Sequence, residues 1–108
     1  MWFTTFIFST ILFTDNFESG KDKWVQSSWK VDSGESGEME LYKDGQNWGL
    51  TTTTDARFYT ISTRFDAFTN KKSPLFVLYS VKNRQDIDCG GAYIKLYPSS
   101  VVQETLKG

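Results

Sequence analysis

The chain is 108 residues long, with 12 Lys and Arg against 13 Asp and Glu, so it holds one small domain or a portion of a larger one and lacks the basic field that nucleic acid demands. It has no His and a single Cys, which excludes Ser-His-Asp triads, Cys-His pairs, His-based zinc sites and an internal disulfide. Hydrophobic residues make up only 39%, yet 17% of the chain is aromatic, a balance that favours a folded, β-rich chain over a disordered one.

The uncharged run Met1 to Phe13 is too short to cross a bilayer as a helix, which takes roughly 17–25 residues. Residues 1–10 read as a remnant of a secretory leader, although the basic n-region and small-x-small cleavage site are missing; a first β-strand is the alternative. Trp24 to Lys30 follows as a strand, closed by the polar turn Asp32 to Gly37. Met39 to Tyr42 is a short strand that runs into Lys43-Asp44-Gly45-Gln46-Asn47, where Asp-Gly signals a hairpin. That loop lacks the twelve-residue spacing and terminal Glu of an EF-hand.

Arg57 to Phe65 alternates, with Tyr59, Ile61 and Phe65 on one parity and Thr60, Ser62 and Arg64 on the other, as a half-buried strand does. A turn at Thr69 to Pro74, with the exposed pair Lys71-Lys72, leads into Leu75 to Val81. This run is apolar on both parities until Ser80, the pattern of a central strand covered on both faces. Ala92 to Tyr97 alternates again, and Pro98 to Gly108 is polar without strand character. Short strands separated by turns predict an all-β, antiparallel sandwich. About five or six strands are too few for two complete sheets when a typical sheet has about 5–6, so a partial sandwich is expected.

Chemistry concentrates near Asp86-Ile87-Asp88-Cys89-Gly90-Gly91-Ala92-Tyr93-Ile94-Lys95-Leu96. Period-2 geometry puts Tyr93 and Lys95 on one face, where a ring offers a platform for the C–H face of a pyranose and an ammonium donates to its hydroxyls. An ordinary solvated strand face accounts for the same two residues. The acidic pair Asp86 and Asp88 sits at a turn, where solvation is the simpler reading than a glycosidase pair. No Asn heads an Asn-x-Ser/Thr acceptor.

The stretch Ile87 to Leu96 resembles the Ile-Asp-Cys-Gly-Gly-x-Tyr-Val-Lys-Leu signature of the calreticulin and calnexin family. Thr54-Asp55-Ala56-Arg57-Phe58-Tyr59, Phe68-Thr69-Asn70-Lys71, Phe13-Thr14-Asp15-Asn16-Phe17 and Trp24-Val25-Gln26-Ser27 resemble further blocks of the same family in register. The Asp-Ala-Arg-Phe-Tyr block is typical of its soluble calreticulin branch. The resemblance implies a jelly-roll, concanavalin-like β-sandwich over residues 11–108, present as an N-terminal portion of the lectin domain. It also implies a calcium-dependent lectin chaperone of the endoplasmic reticulum lumen that binds monoglucosylated N-glycans on unfolded glycoproteins and catalyses no reaction.

By the same resemblance Tyr93 and Lys95 take the sugar-contacting positions, and Cys89, beside Gly90 and Gly91, matches one half of a disulfide that flanks the site. Calcium would be held by backbone oxygens at Asn16, Gln46 and Trp48, the last two departing from the family's residues. The family's second Cys, its later sugar-binding residues, the Pro-rich arm that recruits an oxidoreductase, the acidic tail and the retrieval signal have no counterpart in these 108 residues. A portion without lectin activity of its own and a β-sandwich glycoside hydrolase are the alternatives; the second requires two carboxylates about 5–10 Å apart, for which no convincing pair is present.

Overall fold

The computed structural model describes residues 10–108. The expected leader or first strand therefore lies, from residue 1 to 9, outside the described residues. Among the described residues the regular elements are four strands, β1 (Val25–Gln26), β2 (Glu40–Asp44), β3 (Asn47–Thr51) and β4 (Ile61–Ser62), and one 3₁₀ turn, Gln103–Thr105. The protein is all-β in its regular structure, arranged as two small antiparallel sheets, β1 with β4 and β2 with β3.

The β2–β3 hairpin forms where Asp-Gly predicts it. Asp44 pairs with Asn47 across a two-residue loop, and Gly45 takes φ 61 while Gln46 stays at negative φ. Those signs are the pattern of a type II′ turn, whose twist suits a hairpin and whose first central position favours Gly. Cross-strand partners share a face, so Leu41 with Leu50 and Lys43 with Trp48 form one side, and Glu40 with Thr51 and Tyr42 with Gly49 the other. Opposite Tyr42, Gly49 leaves room above the ring. Arg84 fills it, its guanidinium carbon 4.2 Å from the Tyr42 ring centroid while Nη2 donates to Thr51 Oγ1 at 2.6 Å. On the same face Lys82 pairs with Asp44, whose carboxylate raises the ammonium above its ordinary pKa.

The other sheet is a frame made mostly of polar contacts. Val25 pairs with Ser62 and Gln26 with Ile61, and Ser27 N–H continues the ladder to the Thr60 carbonyl at 2.9 Å. The segment after Pro98, polar and unassigned from sequence, docks here. Ser28 N–H donates to the Glu104 carbonyl at 2.7 Å, Ser27 Oγ donates to the Leu106 carbonyl at 2.6 Å, and the Arg64 guanidinium donates to the carbonyls of Ser99 and Val101. Ser27, 2% exposed, is the one fully buried side chain among the described residues, and no apolar side chain there is buried. In place of a core, half-exposed aromatic rings meet edge-on, stacked or tilted: Phe13 with Trp24 at 5.9 Å and with Phe65 at 5.7 Å, Phe17 with Trp24 at 5.7 Å, and Phe65 with Phe68 at 6.0 Å between centroids.

Several expected strands are corrected. Trp24 to Lys30 and Arg57 to Phe65 shorten to the dipeptides of β1 and β4, with Phe58 making an isolated parallel bridge to Ser36. Leu75 to Val81 is no central strand: it lies outside any ladder and is exposed throughout, Phe76 at 79% and Leu78 at 93%. Ala92 to Tyr97 is likewise exposed and outside any ladder. The physical reason is common to both. A strand exists only with a hydrogen-bonded neighbour, and a run apolar on both faces needs a covering layer on each side; neither is present among the described residues. The radius of gyration, 17.2 Å, accordingly exceeds the roughly 13 Å of a compact chain of this size. No helix among the described residues is long and apolar enough to cross a membrane.

Candidate functional site

Tyr93 and Lys95 are neighbours in space as the i, i+2 spacing predicts. The Lys95 ammonium lies 5.5 Å from the centroid of the Tyr93 ring, and the ring is 80% exposed, so one face of it is open to solvent. Its position depends on the preceding glycines. Gly90 sits at φ 142, a conformation that a side chain would strain. At Gly91 the tyrosine folds back so closely that its hydroxyl oxygen would stand 3.0 Å from an added Cβ. The paired glycines thus let the backbone turn and let the ring lie across it. Cys89, next to this turn, is a free, exposed thiol, and Asp86 and Asp88 are both exposed.

The arrangement offers an apolar platform with a cation at its edge and no water-excluding cleft. That suits reversible binding of a polyhydroxylated ligand by C–H contact and hydrogen bonding. Among the described residues 92–97 has no ladder partner, so no sheet of theirs lies beneath it.

The three positions expected to bind calcium are spread over two turns. Gln46 is the second central residue of the hairpin loop, and Trp48 follows in β3. Asp44 and Asn47 close the loop as a hydrogen-bonded rung, so the next rung, Lys43 with Trp48, is a non-hydrogen-bonded one. The Trp48 carbonyl therefore points away from β2. Free, hard carbonyl oxygens of this kind fit calcium, which takes about 6–8 oxygen ligands. Asn16 belongs to the other turn, where its Oδ1 accepts the Glu18 N–H at 3.2 Å. In that same turn Asp15 accepts from Phe17 N–H at 2.9 Å and from the Trp24 indole N–H at 2.8 Å. Partial burial works to raise the Asp15 pKa, but these two bonds, with help from Lys23, outweigh it and hold the carboxyl below its ordinary value.

Other features had no clear sequence signal. Lys30 stands 3.8 Å from the Phe58 ring centroid and 5.3 Å from that of Trp29, and also pairs with Glu35 at 3.3 Å. A cavity of about 90 Å³ is lined by Lys21, Trp24, Gln26, Glu38, Met39, Leu50 and Ile61. It joins residues of both sheets, a meeting that no local pattern encodes.

Comparison with known proteins decides the family. The calreticulin family profile matches residues 6–107. The chain belongs to the calreticulin family. It is 40% identical to calreticulin of Dictyostelium discoideum over 95% of its own length and 26% of that protein. Against calreticulin of Cricetulus griseus the identity is 42%, over 91% of the chain and 25% of the relative; against calreticulin-3 of Bos taurus it is 40%, over 93% and 28%. The chain thus spans about a quarter of the length of the calreticulins it matches. No solved structure matches it significantly.

Proposed function

We propose that this calreticulin-family chain contributes to the glycan-recognition surface of a lectin chaperone that acts in the endoplasmic reticulum lumen on monoglucosylated N-glycans of unfolded glycoproteins. The observation that carries the reading is the exposed Tyr93 ring with the Lys95 ammonium at its edge. The ring would stack against the apolar face of a terminal hexose, and the ammonium would donate to its hydroxyls. No bond is made or broken in this role, in keeping with a binding module and not an enzyme. Calcium is part of the proposal: the carbonyls of Gln46 and Trp48, with Asn16, would supply oxygens that rigidify the hairpin and the Asn16 turn.

The test is a calorimetric titration of the soluble 108-residue chain with a monoglucosylated oligomannose ligand, in calcium and in chelator. Saturable heat is expected for the wild type, weakened by chelation and abolished in Tyr93→Ala with an unchanged circular dichroism spectrum. Silence from the soluble wild-type chain, or undiminished heat from Tyr93→Ala, would overturn the assignment of the site.

A further inference from the structure

We propose that Tyr59 is a positioning residue for calcium: it clasps the base of the β2–β3 hairpin and so fixes the Gln46 and Trp48 carbonyls relative to Asn16. This rests on the calcium binding proposed for those oxygens and adds to it a residue that contributes none of them. The oxygens come from two sides of the molecule. Asn16 lies in the turn that Asp15 fastens to the Trp24 indole, next to β1, whereas Gln46 and Trp48 lie on the hairpin. The two sheets share no strand pairing. How they face each other is therefore set where the chain enters the hairpin, before Glu40, and where it leaves, after Thr51.

Tyr59 holds both crossings. Its hydroxyl accepts from the Thr53 N–H at 3.1 Å and the Thr54 N–H at 2.7 Å and donates to the Thr54 carbonyl at 2.8 Å. Among the described residues no other side chain from outside 51–57 hydrogen-bonds the leaving crossing, 52–57. On the entering side the ring lies so close over Gly37 that a Cβ there would overlap it. One residue earlier, Phe58 N–H donates to the Glu35 carbonyl at 2.8 Å and Gly37 N–H donates to the Phe58 carbonyl at 2.8 Å, which laces the entering crossing to the segment that runs on into β4. Lys21 gives that crossing a second hold, donating to the Glu38 carboxylate at 2.8 Å and the Met39 carbonyl at 2.9 Å; the leaving one depends on Tyr59. A phenol has only two side-chain torsions to fix, so it serves as a stiff strut at low entropic cost. Calcium rewards such a frame, because it needs several oxygens at one short radius together.

The experiment is calorimetric calcium titration of the full chain, paired with amide hydrogen exchange in chelator. Tyr59→Phe keeps the ring on Gly37 and loses the three bonds. It should speed exchange of the Thr53 and Thr54 amides roughly tenfold or more and weaken calcium about tenfold, at the low end of what outer residues of a metal site are worth, with an unchanged circular dichroism spectrum. Gly37→Ala, whose Cβ displaces the ring from the opposite side, should weaken calcium likewise. Ser28→Ala deletes a 2.8 Å bond to the Glu104 carbonyl away from the hairpin and should bind calcium as the wild type does, which separates positioning from a general loss of stability. Wild-type calcium affinity in Tyr59→Phe, unchanged exchange at Thr53 and Thr54, or an equal loss in Ser28→Ala would each overturn the role of Tyr59 alone. A wild-type chain that takes up no calcium would overturn the calcium binding itself and this role with it.

Discussion

Asp15 shows how one side chain can hold a turn. Its two oxygens take the Phe17 amide and the Trp24 indole, and its folded pKa lies below the ordinary 3.8. A carboxylate with a depressed folded pKa stabilises fully above its unfolded value and loses that contribution as pH falls through the folded one. Acidification through 3.8 and below should therefore release Trp24, read as a change in tryptophan fluorescence that Asp15→Asn moves out of that pH range. Ser27 is the complementary case. Its buried hydroxyl accepts from Trp29 N–H at 3.0 Å and donates to Leu106, so Ser27→Ala should cost about 1–3 kcal/mol in urea unfolding. Neither role can be read from sequence: Asp15 looks like any turn acid, and the Leu106 carbonyl that uses Ser27 lies 79 residues away. The nearness of Tyr93 and Lys95, by contrast, was legible, because i, i+2 side chains of an extended chain point the same way whether or not a ladder forms.

Among the elements, the β2–β3 hairpin is the one whose sequence and structure agree most closely, since its information is local. Alternation over Met39 to Tyr42 and an Asp-Gly dipeptide suffice to place it. Gly45→Ala should destabilise the hairpin by about 1–3 kcal/mol, the cost of a Cβ in a sparsely populated backbone region. Gly45→Asn should give little relief, because Asn readily visits the left-handed helical region and not the first central position of a type II′ turn. Hydrogen exchange at the Tyr42 and Gly49 amides, the hydrogen-bonded rung next to the loop rung, would rank the three proteins. The runs Leu75 to Val81 and Ala92 to Tyr97 carry strand-forming residues just as plainly, but composition specifies only a preference, and a ladder also needs a partner that a local pattern does not name. The docking of residues 99–106 failed to register for the converse reason, being made by main-chain carbonyls that any residue possesses.

Taken whole, the molecule is held by two sheets and a set of polar ties, with no buried apolar side chain among the described residues. Its stability should be uneven. Native-state hydrogen exchange is expected to show protection at Ser27 and Ser28 and in β2–β3, and near-intrinsic rates from Phe76 to Leu96; comparable protection in that long stretch would contradict the arrangement. The all-β class was readable from aromatic and Thr content and from turn spacing. The sandwich expected from the same signals is a matter of how layers cover one another, which local patterns do not name; among the described residues the two sheets have two strands each.

The grip of Arg64 on the carbonyls of Ser99 and Val101 has a consequence for reach. The stretch from Arg84, held on the hairpin, to Ser99 is a tethered arc, pinned at both ends. Lys95 sits four residues before Ser99, so the extended chain lets it stray no further than roughly 14 Å from the pin. A ligand that finds the Tyr93 ring is thereby leashed to the segment that follows β4, and cutting the leash with Arg64→Ala would enlarge the volume the ring explores without touching the ring itself.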